Sequence, residues 1–192
     1  MAQALDDLLD SLEDADDATR EEAAKALAEL ANPATLDALI GACGDEFWSV
    51  RTRAGWGVAK IGGPKAIEAL IVLFNDPIME VRNEAVAAVV SLGAGQLDRL
   101  LAAMKDERWR VREHAAKACG DLHDSRAVDA LTFACRDRDG AVKSAAAEAL
   151  GKIGDPKAIP ALVKLFRDSS KIVRETAGIA LVAIGQPSVD LL

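Results

Sequence analysis

The chain has 192 residues, of which 51% are hydrophobic and 4% aromatic, and its formal net charge is -8. With so few rings the core has to be built from closely approaching helices. The negative charge disfavours general nucleic-acid binding, because phosphate contacts need a positive surface. No apolar run approaches the roughly 18 to 20 residues of a transmembrane helix, and the N-terminus is acidic where a secretory signal begins with positive charge. We therefore expect a cytoplasmic protein without a membrane contact.

A dipeptide that ends in a basic residue returns six times along the chain. Its copies are Thr19-Arg20, Val50-Arg51, Val81-Arg82, Val111-Arg112, Val142-Lys143 and Val173-Arg174. Successive basic residues lie 31, 31, 30, 31 and 31 positions apart. A period of this length indicates a stack of one small supersecondary unit, in which each unit contacts only its neighbours.

Each basic residue lies near the start of a predicted long helix. Small residues follow it after 3 and 6 positions and larger apolar residues after 7 and 10, as in Ala85, Ala88, Val89 and Leu92. These offsets form one stripe of an α-helix. The pattern therefore predicts an amphipathic helix whose small residues allow a neighbouring helix to approach closely.

A shorter apolar helix is predicted before each long helix, so that every unit is a helical hairpin. Prolines near the starts of first helices and glycines after several second helices support these boundaries. The first helices are predicted near 3–13, 34–43, 65–75, 95–105, 126–136 and 157–167. The second helices are predicted near 17–31, 48–62, 78–92, 108–121, 139–153 and 170–184. The whole chain, 1–192, is predicted to be one domain with units at about 1–31, 32–62, 63–93, 94–122, 123–154 and 155–185, followed by the start of a further helix at 187–192.

The last two units carry the most complete form of the pattern. It runs from Ala149-Leu150-Gly151-Lys152-Ile153-Gly154-Asp155-Pro156 through Asp168 and Val173-Arg174 to Ile184-Gly185. This pattern resembles the short HEAT-like repeat first named from phycobilisome lyases, and the resemblance covers the whole chain. It implies an all-α fold, a right-handed α-solenoid (an α-α superhelix) of six HEAT-like helical hairpins. It also implies that the second helices line the concave face and the first helices the convex face.

An aspartate lies six residues before every basic residue of the repeat. These residues are Asp14, Asp45, Asp76, Asp106, Asp137 and Asp168. We expect the basic side chains to hydrogen-bond these carboxylates or nearby turn carbonyls, both within and between units. Residues that occur in every unit are typical of a scaffold, so a catalytic role for this column is disfavoured.

The units differ most at positions predicted to be exposed on the concave face. Three positions before the basic residue, successive units carry Trp48, Met79 and Trp109, and a third tryptophan, Trp56, lies five positions after Arg51. Trp, Met and Arg are typical anchors of protein interfaces. In the alternative interpretation, Trp48 and Trp109 fill the hairpins of their own units. The predicted partner-binding residues are Trp48, Arg53, Trp56, Met79, Trp109, Arg110 and His114.

The sequence shows little that is typical of an enzyme. Its two histidines, His114 and His123, are predicted to be a surface contact and a turn residue. Neither precedes a glutamate, so the His-Glu iron ligands of deoxyhypusine hydroxylase, which belongs to the same superfamily, are absent. No phosphate loop, nucleophile elbow or metal-ligand set occurs. The three cysteines lack CxxC spacing and are expected to be reduced, buried thiols.

The sequence therefore predicts a non-enzymatic scaffold or adaptor that needs no cofactor and binds another protein on its concave face. One alternative is a chromophore lyase subunit, or a protein that holds an open-chain tetrapyrrole against its tryptophans. A second, disfavoured alternative is nucleic-acid binding, because acidic residues are interleaved with the basic ones along this face.

The C-terminal end lacks the polar cap that repeat proteins usually need. The further helix is predicted to begin at Ser188 and to stop at Leu192, which leaves the apolar surface of Leu181, Ile184, Leu191 and Leu192 uncovered. Two explanations stay open at this point. Either the natural protein continues, or the C-terminal repeat associates end to end with another copy.

Overall fold

The computed structural model describes residues 2–185. Within them the chain is helical, without a β-strand, and it forms two compact units, Met1–Leu92 and Gly93–Leu192. The division coincides with a boundary between predicted repeats. The further helix predicted at 187–192 lies outside the described residues, and the predicted end-to-end association stays a prediction.

Each unit consists of three helical hairpins. The first unit contains α1 (Ala2–Ser11), α2 (Asp17–Leu30), α3 (Leu36–Ala42), α4 (Trp48–Ile61), α5 (Pro64–Leu73) and α6 (Met79–Ser91). The second unit contains α7 (Leu97–Ala103), α8 (Trp109–Asp121), α9 (Val128–Ala134), α10 (Gly140–Ile153), α11 (Ile159–Leu165) and α12 (Lys171–Gly185). The predicted hairpins are confirmed, with α2, α4, α6, α8, α10 and α12 as the long second helices.

Several first helices are shorter than predicted because their first turn is a 3₁₀ turn. These turns are Pro33–Thr35, Ala94–Gln96, Ser125–Ala127 and Pro156–Ala158. Asn32, Asp124 and Asp155 each accept a hydrogen bond from the backbone N–H two residues later. This local side-chain bond favours a tight turn, and the α-helix begins only after it.

Small residues set the distance between neighbouring long helices. A Cβ added to Gly120 of α8 would lie 2.6 Å from Ala149 Cα, and one added to Gly151 of α10 would lie 2.9 Å from Ala180 Cα. Backbones therefore approach so closely that any side chain at these glycines would force the helices apart. The larger apolar positions fill the remaining space, since Leu27 in the first unit and Leu150 in the second have no exposed surface.

The register of the repeat places four basic side chains, Arg20, Arg51, Arg112 and Lys143, against the aspartate of the next hairpin, 25 residues later. Arg51 donates from Nε and Nη2 to the carboxylate of Asp76 at 2.7 and 2.9 Å, while its Nη1 donates to the carbonyls of Asp45 and Glu46 at 2.8 and 3.0 Å. Arg20 binds Asp45, and Arg112 binds Asp137, in the same way. The predicted ladder of basic and acidic residues is therefore present inside each unit.

The ladder also determines the protonation of its aspartates. Burial opposes the charge of Asp137, but the hydrogen bonds from Arg112 and from the Asp139 N–H outweigh it and lower the pKa of Asp137 below 3.8. The same balance, with Arg20 and the Phe47 N–H as donors, lowers the pKa of Asp45. Both carboxylates are thus held in the charged form that the neighbouring hairpin requires.

Candidate partner-binding surface

The exposed sides of the long helices form what we call the long-helix face of each unit. In the first unit, Trp48 begins α4 and Met79 begins α6, and these side chains are 43% and 56% exposed. In the second unit, Trp109 begins α8 and is 38% exposed. Neither Trp48 nor Trp109 is therefore fully enclosed within its hairpin. Each of these three helix starts carries a large apolar side chain in contact with solvent.

Trp56 lies about two turns after Trp48 on α4 and is half-buried. Its indole Nε1 donates a hydrogen bond to Glu84 Oε2 of α6 at 2.9 Å. The ring is therefore fixed across the groove between two neighbouring long helices. Trp56 was predicted to lie on this face, but its partner was not predicted. Glu84 lies three residues before Ala87, the position of the next repeat that is equivalent to Trp56.

Arg53 is joined to the preceding hairpin rather than free in solvent. Glu21 of α2 accepts from Arg53 Nε at 3.3 Å and from Ser49 Oγ at 2.6 Å. The bond from Ser49 is the main cause of a lowered pKa for Glu21, and Arg53 adds to it although burial opposes it. This contact holds the guanidinium beside the long-helix face of the first unit.

Trp109 and Arg110 form a stacked pair in the second unit. The guanidinium carbon of Arg110 lies 4.8 Å from the centre of the Trp109 ring, within the range of a cation–π contact. The buried Nε of Arg110 has no hydrogen-bond partner among the described residues. The pair therefore presents an aromatic ring that is already held in place by a charged neighbour.

His114 was predicted to be a surface contact, and this prediction is wrong. The side chain is 2% exposed, and its Nδ1 lies 2.8 Å from the carbonyl oxygen of Arg110, four residues earlier on the same helix. Glu113 Oε2 lies 3.6 Å from the same nitrogen. Helix α8 packs closely against α10, since a Cβ added to Gly120 would lie 2.6 Å from Ala149 Cα, and eight of its thirteen residues are buried. A position that is exposed in α2, α4 and α6 is therefore buried in this helix.

A recess lies on the long-helix face of the second unit and was not foreseen. It has a volume of about 440 Å³ and is lined by Gly140, Ala141, Ser144 and Ala145 of α10 together with Glu113 and Lys117 of α8. Gly140 begins α10 where Trp48 begins α4 and Trp109 begins α8, and a Cβ built on it would meet no atom within 4 Å. The sequence signal for the recess was Gly140 itself, since it is a glycine at the position where two other repeats have Trp48 and Trp109.

Other chemistry in the described chain is limited. No group of three or more His, Cys, Asp and Glu residues within 2–185 is arranged to hold a metal ion. Burial raises the pKa of Cys43, Cys119 and Cys135 to about 12. His123 adopts the left-handed turn conformation, with φ of 51°, and its Nδ1 lies 2.9 Å from the Lys152 carbonyl oxygen.

Within residues 2–185 no single helix has both the length and the apolar composition of a membrane span. One bent pair of consecutive helices meets that test together.

Helical hairpins that stack on their neighbours and repeat one arginine–aspartate contact define the class of α-solenoid repeat proteins. A family model described as HEAT repeats matches residues 5–91 and 97–191. The chain therefore belongs to the HEAT-repeat family. No curated protein sequence matches it significantly.

Solved structures support the same fold at low sequence identity. An engineered protein is 22% identical, with a TM-score of 0.52 over 95% of this chain and 98% of that chain. A chain of the Kap95p–RanGDP structure is 15% identical, with a TM-score of 0.71 over 95% of this chain and 30% of that chain. A chain of the CpcE–CpcF complex of phycocyanin lyase from Nostoc sp. is 21% identical, with a TM-score of 0.61 over 78% of this chain and 99% of that chain. At such identities the likeness concerns the fold, and lyase activity stays an alternative to the predicted scaffold function.

Proposed function

We propose that this chain is a non-enzymatic interaction module that binds a partner protein on its long-helix face, the face predicted to be concave. HEAT repeats are typical protein-interaction scaffolds, which supports the general class of function. The single observation that carries the proposal is the exposure of Trp48, Met79 and Trp109 at the starts of three long helices. Exposed aromatic and Met side chains held by a rigid scaffold are characteristic of interface anchors.

A partner that covers these three exposed side chains removes their apolar surface from water, which lowers the free energy of the complex. Burial of a large apolar side chain stabilises by about 1.5 to 3 kcal/mol. Their supporting residues are already fixed, since Arg53 is held by Glu21, Trp56 by Glu84 and Arg110 by the Trp109 ring. A partner therefore meets a surface whose side chains lose little further conformational freedom.

Charge on the first unit indicates the kind of segment that fits there. Glu80 and Glu84 lie on α6 next to the exposed Met79, and both are exposed. A partner segment with apolar residues beside lysine or arginine would match this arrangement. We propose such a segment as the ligand of the first unit.

The test is partner capture by matched variants. Trp48→Ala with Met79→Ala probes the first unit, Trp109→Ala the second, and Phe133→Ala is the control because this 77% exposed ring lies on the short helix α9. We expect a specific partner to be lost with the face variants and retained with the control, at unchanged helicity by circular dichroism. Equal retention by all variants would contradict the proposed face.

A further inference from the structure

We call each pair of a basic residue and an aspartate in the ladder a rung. One rung of the second unit is altered because its basic residue is a lysine, Lys143. Where the other described rungs have arginine, Lys143 of α10 makes a single ion pair with Asp168. Arg112 also donates to the carbonyls six and five residues before it, at 2.8 and 2.9 Å. The corresponding carbonyls of Asp137 and Arg138 receive no hydrogen bond from Lys143 in the described structure, because an ammonium group cannot bridge both sites.

A cavity of about 270 Å³ lies at this altered rung. Lys143, Asp137 and Asp168 line it together with three further basic residues, Arg136, Lys164 and Arg167. The remaining walls come from the ends of α9 and α11 and include the buried Cys135. All of these residues belong to the second unit, and the cavity is separate from its long-helix face.

The two carboxylates in the wall are already neutralised. Both oxygens of Asp137 accept from Arg112 at 2.7 and 2.9 Å, and the Asp139 N–H adds a third bond. Asp168 accepts from Lys143 and from the Ser170 N–H, which lower its pKa. These residues therefore offer little attraction to a cation.

The three additional basic side chains are exposed to solvent and have no acidic partner within residues 2–185. Arg136, Lys164 and Arg167 make no side-chain hydrogen bond or ion pair with any other residue of the described chain, although the whole chain has a net charge of -8. Because Arg112 pairs with Asp137 and Lys143 with Asp168, the three remaining basic residues leave three unpaired positive charges around the cavity. Such a concentration of unpaired positive charge favours an anionic ligand.

We propose that this cavity binds a phosphate-type oxyanion that carries about two negative charges. The guanidinium forks of Arg136 and Arg167 match the tetrahedral oxygens, and Lys164 adds a point charge. The volume leaves room for the anion with several waters, since each water takes about 30 Å³ in the liquid. The chemistry requires neither the long-helix face nor a partner protein.

Calorimetric titration of the whole chain with inorganic phosphate tests the proposal, with citrate as a carboxylate comparator at equal ionic strength. We expect saturable phosphate binding that Lys164→Gln with Arg167→Gln weakens at least about tenfold, because charged hydrogen bonds are lost. The matched control, Lys105→Gln with Lys157→Gln, removes the same charge from exposed positions of the second unit that do not line the cavity. It should bind phosphate as the unchanged chain does.

Lys143→Arg distinguishes binding inside the cavity from general attraction to surface charge, because it changes the shape of the cavity and keeps the net charge. The guanidinium should complete the rung with the Asp137 and Arg138 carbonyls, fill part of the cavity and weaken phosphate binding about tenfold without lowering the thermal midpoint. Phosphate binding unchanged by this substitution, or reduced equally by the control pair, would overturn the proposal. Tighter binding of citrate than of phosphate would also overturn it.

Discussion

The indole Nε1 of Trp56 donates a hydrogen bond of 2.9 Å to Glu84 Oε2, and this bond joins the second helices of two successive hairpins in the first unit. Trp56 occupies a position at which the other repeats have lysine, alanine, glutamate or isoleucine. The tryptophan of one repeat and the glutamate of the next therefore act together as a clamp on the long-helix face.

Removal of the Trp56 donor should weaken this clamp. Trp56→Phe keeps most of the ring but loses the bond, so we expect the free energy of unfolding to fall by about 1 kcal/mol. Urea denaturation followed by circular dichroism measures this change. Glu84→Gln keeps an acceptor oxygen and should have the smaller effect; a larger loss with glutamine than with phenylalanine would be inconsistent with the clamp.

Arginine should be required at the buried rung between Arg51 and Asp76. The side chains are 10% and 5% exposed, and a lysine would keep the ion pair but lose the bonds to the Asp45 and Glu46 carbonyls, as at Lys143. Arg51→Lys should therefore lower the free energy of unfolding by about 1 to 3 kcal/mol. Chemical denaturation checks the value, and Arg167→Lys, at an exposed residue outside the ladder, should change it little.

Acid should weaken the ladder through its aspartates. The pKa of Asp137 is lower in the folded chain than its ordinary value of 3.8, so its charge stabilises the fold above about pH 4. This stabilisation is lost as the pH falls through the lower, folded value. Asp137→Asn should reduce stability at pH 7 and flatten the loss between about pH 4 and pH 2, measured by thermal unfolding across that range. An acid profile as steep as that of the unchanged chain would exclude this role.

The recess at Gly140 should accept a large side chain without loss of the fold. Gly140→Trp supplies the residue that begins α4 and α8, and no atom obstructs its Cβ. We expect stability within about 0.5 kcal/mol of the unchanged chain and altered partner binding by the second unit. Gly41→Trp, at another glycine with open space, is the control. Thermal unfolding and quantitative partner capture compare Gly140→Trp with Gly41→Trp. A fall in stability specific to Gly140→Trp would mean that the recess is needed for packing.

The repeat itself was predictable from the sequence because its signals are local. The offsets after Arg82 lie on one helical stripe. The prolines mark the starts of helices and the glycines their ends, within a few residues of the observed bounds. The residue type that pairs with Arg51 was predictable, since an aspartate lies six residues before every basic residue of the repeat. The exposed Trp48 and Trp109 also follow from comparison of one repeat with the next.

The burial of His114 and the hydrogen bond of Trp56 were not predictable from the sequence pattern. His114 was placed on the surface by its offset, but the close approach of the helices around α8 buries it. The Trp56–Glu84 bond, the recess at Gly140 and the cavity at Lys143 each depend on residues from different hairpins. A linear pattern does not specify the distances between such side chains.

The sequence by itself determined the period, the hairpins, the aspartate ladder and the face on which Trp48, Met79 and Trp109 lie. These properties follow from helical periodicity, which acts over a few residues of one chain segment. The tertiary structure alone decided which side chains at that face are exposed, which are clamped and where cavities remain. Those features are set by how closely neighbouring helices pack, and a single glycine or the exchange of arginine for lysine is enough to change that packing locally.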